Sequence, residues 1–211
     1  MPNEATRLPA AVVLAGGRST RMGGGDKSLE LLGGRPLLAH VLDRLGPQAS
    51  ALAISANGDA GRFSQFNRPV LADTVPGYLG PLAGLLAGMQ WAQNLGATHI
   101  LSMPTDTPFF PENLGAALTG ASRADAPVLA ASSGRRHPAV GLWPVALAGR
   151  LGDFLRSGTT YKVSVFADDC GAVAVEFPMI ALAHRSLDPF FNVNSPADLA
   201  LAETLFGELQ L

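Results

Sequence analysis

The stretch LAGGRSTRMGGGDK, Leu14 to Lys27, directly follows the apolar run Ala10–Leu14 and holds five glycines, two arginines and a lysine. A glycine inside a helix or strand costs about 1 kcal/mol relative to alanine, so this density of glycine describes a loop. Backbone N–H groups of such a turn can converge on phosphate oxygens. Arg18, Arg21 and Lys27 would add charge-assisted bonds to the same anion. Two common phosphate loops are excluded. The Walker pattern needs Gly-Lys-Ser/Thr, and Asp26 separates Gly25 from Lys27. The dinucleotide fingerprint needs a third glycine where Ser28 stands. A surface loop with solvated charges stays open as the alternative on these residues alone.

Other positions carry chemistry too. Asp106 lies in SMPTDTP between Pro104 and Pro108, which stiffen the turn and fix where the carboxylate points. It stands too far ahead of the helix predicted from Pro111 to cap it. Asn57 and Asp73 offer an amide and a carboxylate, acceptors suited to the adjacent N–H donors of a purine edge; Asn57 also reads as a turn residue in ANGD. GRRHP places Arg135, Arg136 and His137 together, a second basic patch or a solvated loop. Asn192 and Asn194, two apart in FNVNSP, face one side of any extended segment.

These residues need a scaffold. Short apolar runs predict strands at Ala10–Ala15, Ala51–Ala56, Pro69–Ala72, Ile100–Met103, Pro127–Ala131, Ala139–Trp143 and Ala172–Phe177. The first, second and fourth are apolar on both faces, as in strands covered by helices on two sides. Helices are predicted over Pro36–Leu45, Pro81–Leu95 and Pro111–Leu118. A further one follows Ser195, with Pro196 in its first turn and Asp198 completing a near capping box. The alternation implies an α/β domain with a mainly parallel sheet, which binds ligands beyond the carboxyl ends of its strands. The glycine loop, Asn57, Asp73 and Asp106 each follow a predicted strand.

The bulk properties set bounds. A chain of 211 residues suits one domain, large enough to bury roughly 70% of its unfolded surface. A net charge of −2 disfavours nucleic acid as a partner. The single cysteine, Cys170, allows no internal disulfide and reads as an inert thiol in a reducing compartment. No apolar stretch approaches the ~20 residues of a membrane span, and the first ten residues lack the apolar core of a secretory signal. A cytoplasmic protein without a membrane partner is expected.

The loop LAGGRSTRMGGGDK, followed in order by SAN at Ser55–Asn57, DTVPGYLGPLAG at Asp73–Gly84, PTDTPF at Pro104–Phe109, RRHPAVGLW at Arg135–Trp143 and FNVNSPADL at Phe191–Leu199, resembles the molybdenum cofactor guanylyltransferases, the MobA family within the nucleotidyltransferase superfamily. The glycine loop alone marks only the superfamily; GPLAG, DTP and NVNSP together favour the guanylyl branch. The departures are an extra glycine at Gly24–Gly25 and Thr105 where the family often shows cysteine. The likeness implies a single Rossmann-like α/β domain over residues 10–211 behind a tail at 1–9, its sheet flanked by helices on both faces. It implies GTP binding by the N-terminal half and molybdopterin binding by the C-terminal half.

The resemblance also implies roles. Lys27, Arg21 and Asp106 would be catalytic, with Asp106 the Mg²⁺ ligand. Leu14, Ala15, Gly16, Lys27, Asn57, Asp73 and Asp106 would hold GTP. Arg135, Arg136, His137, Asn192 and Asn194 would hold the molybdopterin-bound molybdenum cofactor. The implied reaction moves GMP from GTP to the pterin phosphate and releases pyrophosphate. It leaves room for molybdenum-insertion proteins and molybdoenzyme chaperones as partners. Two rivals remain at this level: a CTP-dependent molybdopterin cytidylyltransferase or other small-acceptor nucleotidyltransferase, and a non-catalytic nucleotide-binding regulator. An intact Lys27 with Asp106 argues against the regulator.

Overall fold

The structure is a computed structural model and describes residues 8–16, 26–77 and 79–209. Its centre is a seven-stranded sheet. In chain order the strands are β1 (Ala10–Leu14), β2 (Ala51–Ser55), β3 (Val70–Leu71), β4 (His99–Pro104), β5 (Val128–Ser132), β6 (Arg135–Pro144) and β7 (Val173–Phe177). They lie in the order β3-β2-β1-β4-β6-β5-β7. β1 is parallel to β2 and β4, and β3 is parallel to β2. β6 alone runs against both its neighbours, and β7 is parallel to β5.

Among the described residues five α-helices flank the sheet, α1 (Leu37–Leu45), α2 (Pro81–Asn94), α3 (Leu114–Gly120), α4 (Ala148–Ser157) and α5 (Val163–Asp169), and a sixth, α6 (Pro196–Leu209), packs beside it. Alternation along the strands sorts the core. Ala11 and Val13 of β1 face α1 and α3, packing with Leu38, Val41, Leu114 and Leu118. Ala10 and Val12 face α2, α4 and α5, packing with Leu86, Met89, Leu151 and Phe166. The chain moves outward from β1 through α1 to β2 and β3, then returns through α2 to β4 on the other side of β1. With right-handed crossovers, reversing direction puts α1 and α2 on opposite faces. The order therefore reverses at β1, where such sheets open a crevice at their carboxyl edge.

Local sequence explains the seating of α2. A Cβ on Gly84 would stand 2.4 Å from Ser55 Oγ, and one on Gly88 would stand 2.8 Å from Val12 Cγ1. Glycine at these turns lets α2 lie directly on β1 and β2 and brings its first turn to the crevice. A smaller third cluster, with Leu32, Leu37, Phe109, Val193 and Leu205, docks α6 against the loops at the same edge.

Three parts of the sequence reading need correction. The predicted strand Ala139–Trp143 is the second half of a ten-residue strand that begins at Arg135. Pro138 lacks an N–H and falls where the β5–β6 register shifts, which breaks the pattern a strand would show. α4 and α5 lie where the sequence pattern predicts no helix. α4 carries Ala148, Leu151, Gly152 and Leu155 on one buried stripe. The two glycines, Gly149 and Gly152, lower its intrinsic helix propensity, and packing overrides them. The helix predicted from Pro111 starts at Leu114.

Candidate active site

At the carboxyl edge four side chains from distant parts of the chain meet. Lys27 Nζ donates to Asp106 Oδ2 at 2.7 Å and to Asn194 Oδ1 at 2.8 Å. Asn192 Nδ2 donates to Asp106 Oδ1 at 3.2 Å. Each partner is held from behind. Lys27 opens a short 3₁₀ turn whose Asp26 cap accepts from Ser28 N at 3.1 Å and Ser28 Oγ at 2.6 Å. Asp106 follows β4, and its carbonyl accepts from Val193 N at 2.8 Å, which docks the asparagine segment beside it. Asn194 precedes the capping box of α6, where Ser195 Oγ and Asn194 N both donate to Asp198 Oδ2 at 2.9 Å. Those bonds hold the Asp198 carboxyl below its ordinary pKa of 3.8. Asn192 and Asn194 reach the same side, as their spacing predicts.

The Lys27 and Asp106 side chains are 20% and 19% exposed. Their pair is partly wet, so each can exchange its partner for a ligand without stranding a charge in a dry interior.

Beside this group lies a cleft of about 380 Å³ lined by Leu14, Gly16, Asn57, Arg62, Asp73 and Gly84, among others. Ala15 and Ser55 also line it. Asn57 and Asp73 are bonded reciprocally: Asn57 Nδ2 donates to Asp73 Oδ2 at 2.6 Å, and Asp73 N donates to Asn57 Oδ1 at 2.9 Å. This fixes both groups at the ends of adjacent strands.

The sequence reading missed Arg62. Its Nε donates to Asp26 Oδ2 at 2.7 Å, its Nη2 to the Asn57 carbonyl at 2.8 Å and its Nη1 to the Asp59 carbonyl at 2.5 Å. The guanidinium lies 4.4 Å from the Phe63 ring centroid. Arg62 neutralises a carboxylate directly next to Lys27, where an unpaired anion would repel a phosphate. Nothing in its sequence surroundings marks it, because its carboxylate partner, Asp26, is brought to it only by the fold.

The expected basic cluster at Arg135–His137 is divided. In a strand successive side chains point to opposite faces. Arg135 is exposed at the start of β6. Arg136 Nη1 donates to Asp168 Oδ1 of α5 at 2.7 Å, a bond that raises the arginine pKa and lowers that of the exposed Asp168. His137 is buried, its ring 4.7 Å from that of Phe190. Its Nε2 lies 2.7 Å from Ser132 Oγ, which donates to Asp188 Oδ1 at 2.8 Å. Burial pushes the imidazole below its ordinary pKa of 6.5, against the pull of Asp188. Asn192 and Asn194, expected with these residues, lie instead on Lys27 and Asp106. Arg18, Arg21 and most of the glycine loop lie outside the described residues. Cys170 is buried, and burial raises its pKa, in keeping with an inert thiol.

The implied divalent metal can be tested against these donors. Among the described residues no three His, Cys, Asp or Glu side chains gather to hold a metal. Asp106 offers one partly exposed carboxylate beside the asparagine amides. A lone carboxylate suits a cation that keeps waters and takes its remaining ligands from substrate phosphates. The site therefore fits a divalent ion that arrives with a phosphorylated substrate.

Residues 11–168 match the MobA-like NTP transferase domain. A molybdenum cofactor guanylyltransferase of Mesorhizobium japonicum is 49% identical over 204 residues, covering 95% of this chain and 97% of the relative. One from Sinorhizobium fredii is 43% identical over 211 residues, covering 99% and 96%. Among solved structures, the molybdopterin-guanine dinucleotide biosynthesis protein A of Archaeoglobus fulgidus superposes with a TM-score of 0.69 at 19% identity, over 94% of this chain and 98% of that one. A CMP:2-keto-3-deoxy-manno-octonic acid synthetase gives 0.71 at 12% identity, over 96% and 99%. These two share the fold. With its domain match, its close relatives and a cation–carboxylate site beside a strand-end cleft, the chain belongs to the MobA family of molybdenum cofactor guanylyltransferases and is a nucleotidyltransferase.

Proposed function

We propose that the enzyme transfers GMP from GTP to the phosphate of molybdopterin-bound molybdenum cofactor and releases pyrophosphate. The observation that carries this reading is the meeting of Lys27, Asp106, Asn192 and Asn194 at the carboxyl edge of the sheet, where Asp26, the neighbour of Lys27, also lines the Asn57–Asp73 cleft. The pterin phosphate oxygen attacks the α-phosphorus of GTP. The new P–O bond joins the two nucleotide halves, and the bond to the β,γ-diphosphate breaks. A phosphate monoester has a second pKa of about 6, so this nucleophile is already anionic near neutral pH and needs no general base. That agrees with a site built from charges and amides.

The chain's residues then position substrates and balance charge. Asp73 and Asn57 hold the guanine edge, with the Leu14–Gly16 backbone beneath it. Lys27 leaves Asp106 for the triphosphate, joined by Arg21 from the glycine loop. Asp106 would hold Mg²⁺, whose charge when bound offsets that of the phosphates. Asn192 and Asn194 keep Lys27 and Asp106 in place and face the acceptor. Arg135 and Arg136 serve the pterin side, while buried His137 acts through its neighbours. The N-terminal half of 10–211 thus takes the nucleotide and the C-terminal half the pterin. Among the described residues no helix is long and apolar enough to cross a membrane. We place the reaction in the cytoplasm, alongside the proteins that insert molybdenum and receive the finished cofactor.

The test is to incubate the enzyme with Mg²⁺, molybdopterin-bound molybdenum and each nucleoside triphosphate in turn, and to identify the product. A guanine dinucleotide is expected from GTP. A cytosine product formed as fast from CTP would overturn the base assignment.

A further inference from the structure

The segment Asp188–Ser195 carries both site asparagines yet belongs to no strand or helix. Ahead of the first turn of α6, which takes the Ser195 carbonyl, its main-chain bonds are Phe191 N to the Asp188 carbonyl at 3.0 Å and Val193 N to the Asp106 carbonyl at 2.8 Å. Something else must decide where Asn192 and Asn194 point. At its far end the Ser195–Asp198 box does so. At its near end stands a polar trio on the β5–β6 hairpin. We propose that Ser132, His137 and Asp188 are positioning residues that aim the two asparagines at Lys27 and Asp106. This rests on the reading of that site given above.

The proton arrangement can be worked out from the contacts. Ser132 has one hydroxyl proton, and Asp188 is acceptor-only when ionised, so the Ser132 hydroxyl donates to Asp188 Oδ1. Ser132 Oγ must then accept from His137, which fixes the imidazole with its proton on Nε2. Asp188 Oδ1 also accepts from Phe190 N at 2.8 Å. One carboxylate oxygen therefore links the last residue of β5 to the backbone two residues ahead of Asn192. Packing reinforces the link. The buried Phe190 ring lies against His137 at 4.7 Å and edge-on to Phe177 at 5.4 Å.

Ser132 and His137 are 1% and 8% exposed. Buried polar groups are expensive to desolvate, and an apolar pair would fill the same space. What the trio supplies and apolar side chains could not is a fixed direction. The acceptor on Phe190 N sets the path of the next four residues. The described contacts of the trio include none to Lys27 or Asp106, so it acts through the asparagines. This also accounts for the imidazole of RRHP turning inward while the neighbouring arginines stay outside.

The test uses Ser132→Ala, which removes the bridging hydroxyl with little change of volume, and Ser132→Thr, which keeps it. The readouts are the NMR signals of the Asn192 and Asn194 side-chain amides, and kcat and nucleotide KM. In Ser132→Ala the amide signals should move. The kcat should fall about tenfold, less than the ~100-fold that a 1 Å misplacement can cause, with nucleotide KM unchanged. Ser132→Thr should restore both. In a background lacking both asparagine side chains the loss should shrink to about twofold or less, since coupled residues do not add. Unmoved amide signals in folded Ser132→Ala, or the same fold loss in both backgrounds, would overturn the proposal. Should Ser132→Ala not fold, Asp188→Asn gives the same readouts, and unmoved signals there overturn it equally. Signals that move while Asn192→Ala retains full kcat would uphold the network and sink the catalytic reading.

Discussion

Lys27, Asp106 and Asn194 are separated by scores of residues in the chain, yet their side chains touch. Arg135, Arg136 and His137 are consecutive, and the fold sends them to three surroundings: solvent, α5 and the core. Parallel strands explain the first case. Their carboxyl ends all reach one edge, so loops far apart in sequence are neighbours there. Strand alternation parts Arg136 from the other two; Arg135 and His137 share a face and differ in depth, Arg135 at the exposed hairpin end and His137 against the Phe190 ring. Adjacency along a strand guarantees opposite faces, and a basic run is not a basic patch.

The largest effect should come from breaking the convergent region. Lys27→Ala and Asp106→Ala should fold normally, since both side chains are partly exposed and lie outside the apolar core. Each should lose about 10²–10³ in kcat, as removal of a group that stabilises transferring charge commonly does. Single-turnover assays on the folded variants check this. Near-normal turnover from either would mean the meeting point is not where transfer occurs.

A smaller effect should sharpen the contrast at the hairpin. Arg135→Ala with Arg136→Ala should weaken binding of molybdopterin-bound molybdenum about tenfold or more and leave GTP affinity unchanged. A lost bond to a charged group is worth about 1.5–3 kcal/mol. The single variants should differ, with Arg135→Ala the more damaging, because Arg136 is engaged by Asp168. Titrations of both ligands measure this. An equal fall in GTP affinity would place the hairpin with the nucleotide.

The smallest effect tests the buried third member of the run. Burial holds the folded pKa of His137 below its ordinary 6.5. On acidification the unfolded chain therefore takes up this proton before the folded one does. The stability tied to neutral His137 is complete above about pH 6.5 and declines as pH falls from there toward the folded pKa. Urea midpoints from about pH 7.5 down to about pH 5.5 should fall more steeply for the wild type than for His137→Gln. Parallel slopes would show that the imidazole is solvated.

Much of this was legible in the sequence. Apolar runs and prolines at helix starts located β1, β2, β4, α1 and α2, because burial on both faces leaves a pattern independent of partners. The strand-end rule picked out Asn57, Asp73 and Asp106 before any contact was known. The Ser195–Asp198 box was readable because a cap is a local bond over three residues. Hidden from this reading were α4, whose glycines weaken its intrinsic signal, and Arg62, whose carboxylate partner Asp26 lies 36 residues away in the chain.

By itself, then, the sequence determined the α/β class, the strand-end residues and the family, since each depends on local periodicity, caps or an ordered set of motifs. Only the tertiary structure decided which groups touch. It put Asn192 and Asn194 on the Lys27–Asp106 pair, set Arg62 against Asp26, and turned His137 into the core while leaving Arg135 outside. The physical reason is that a hydrogen bond between side chains is fixed by strand order and face. Neither can be read from a residue's neighbours along the chain.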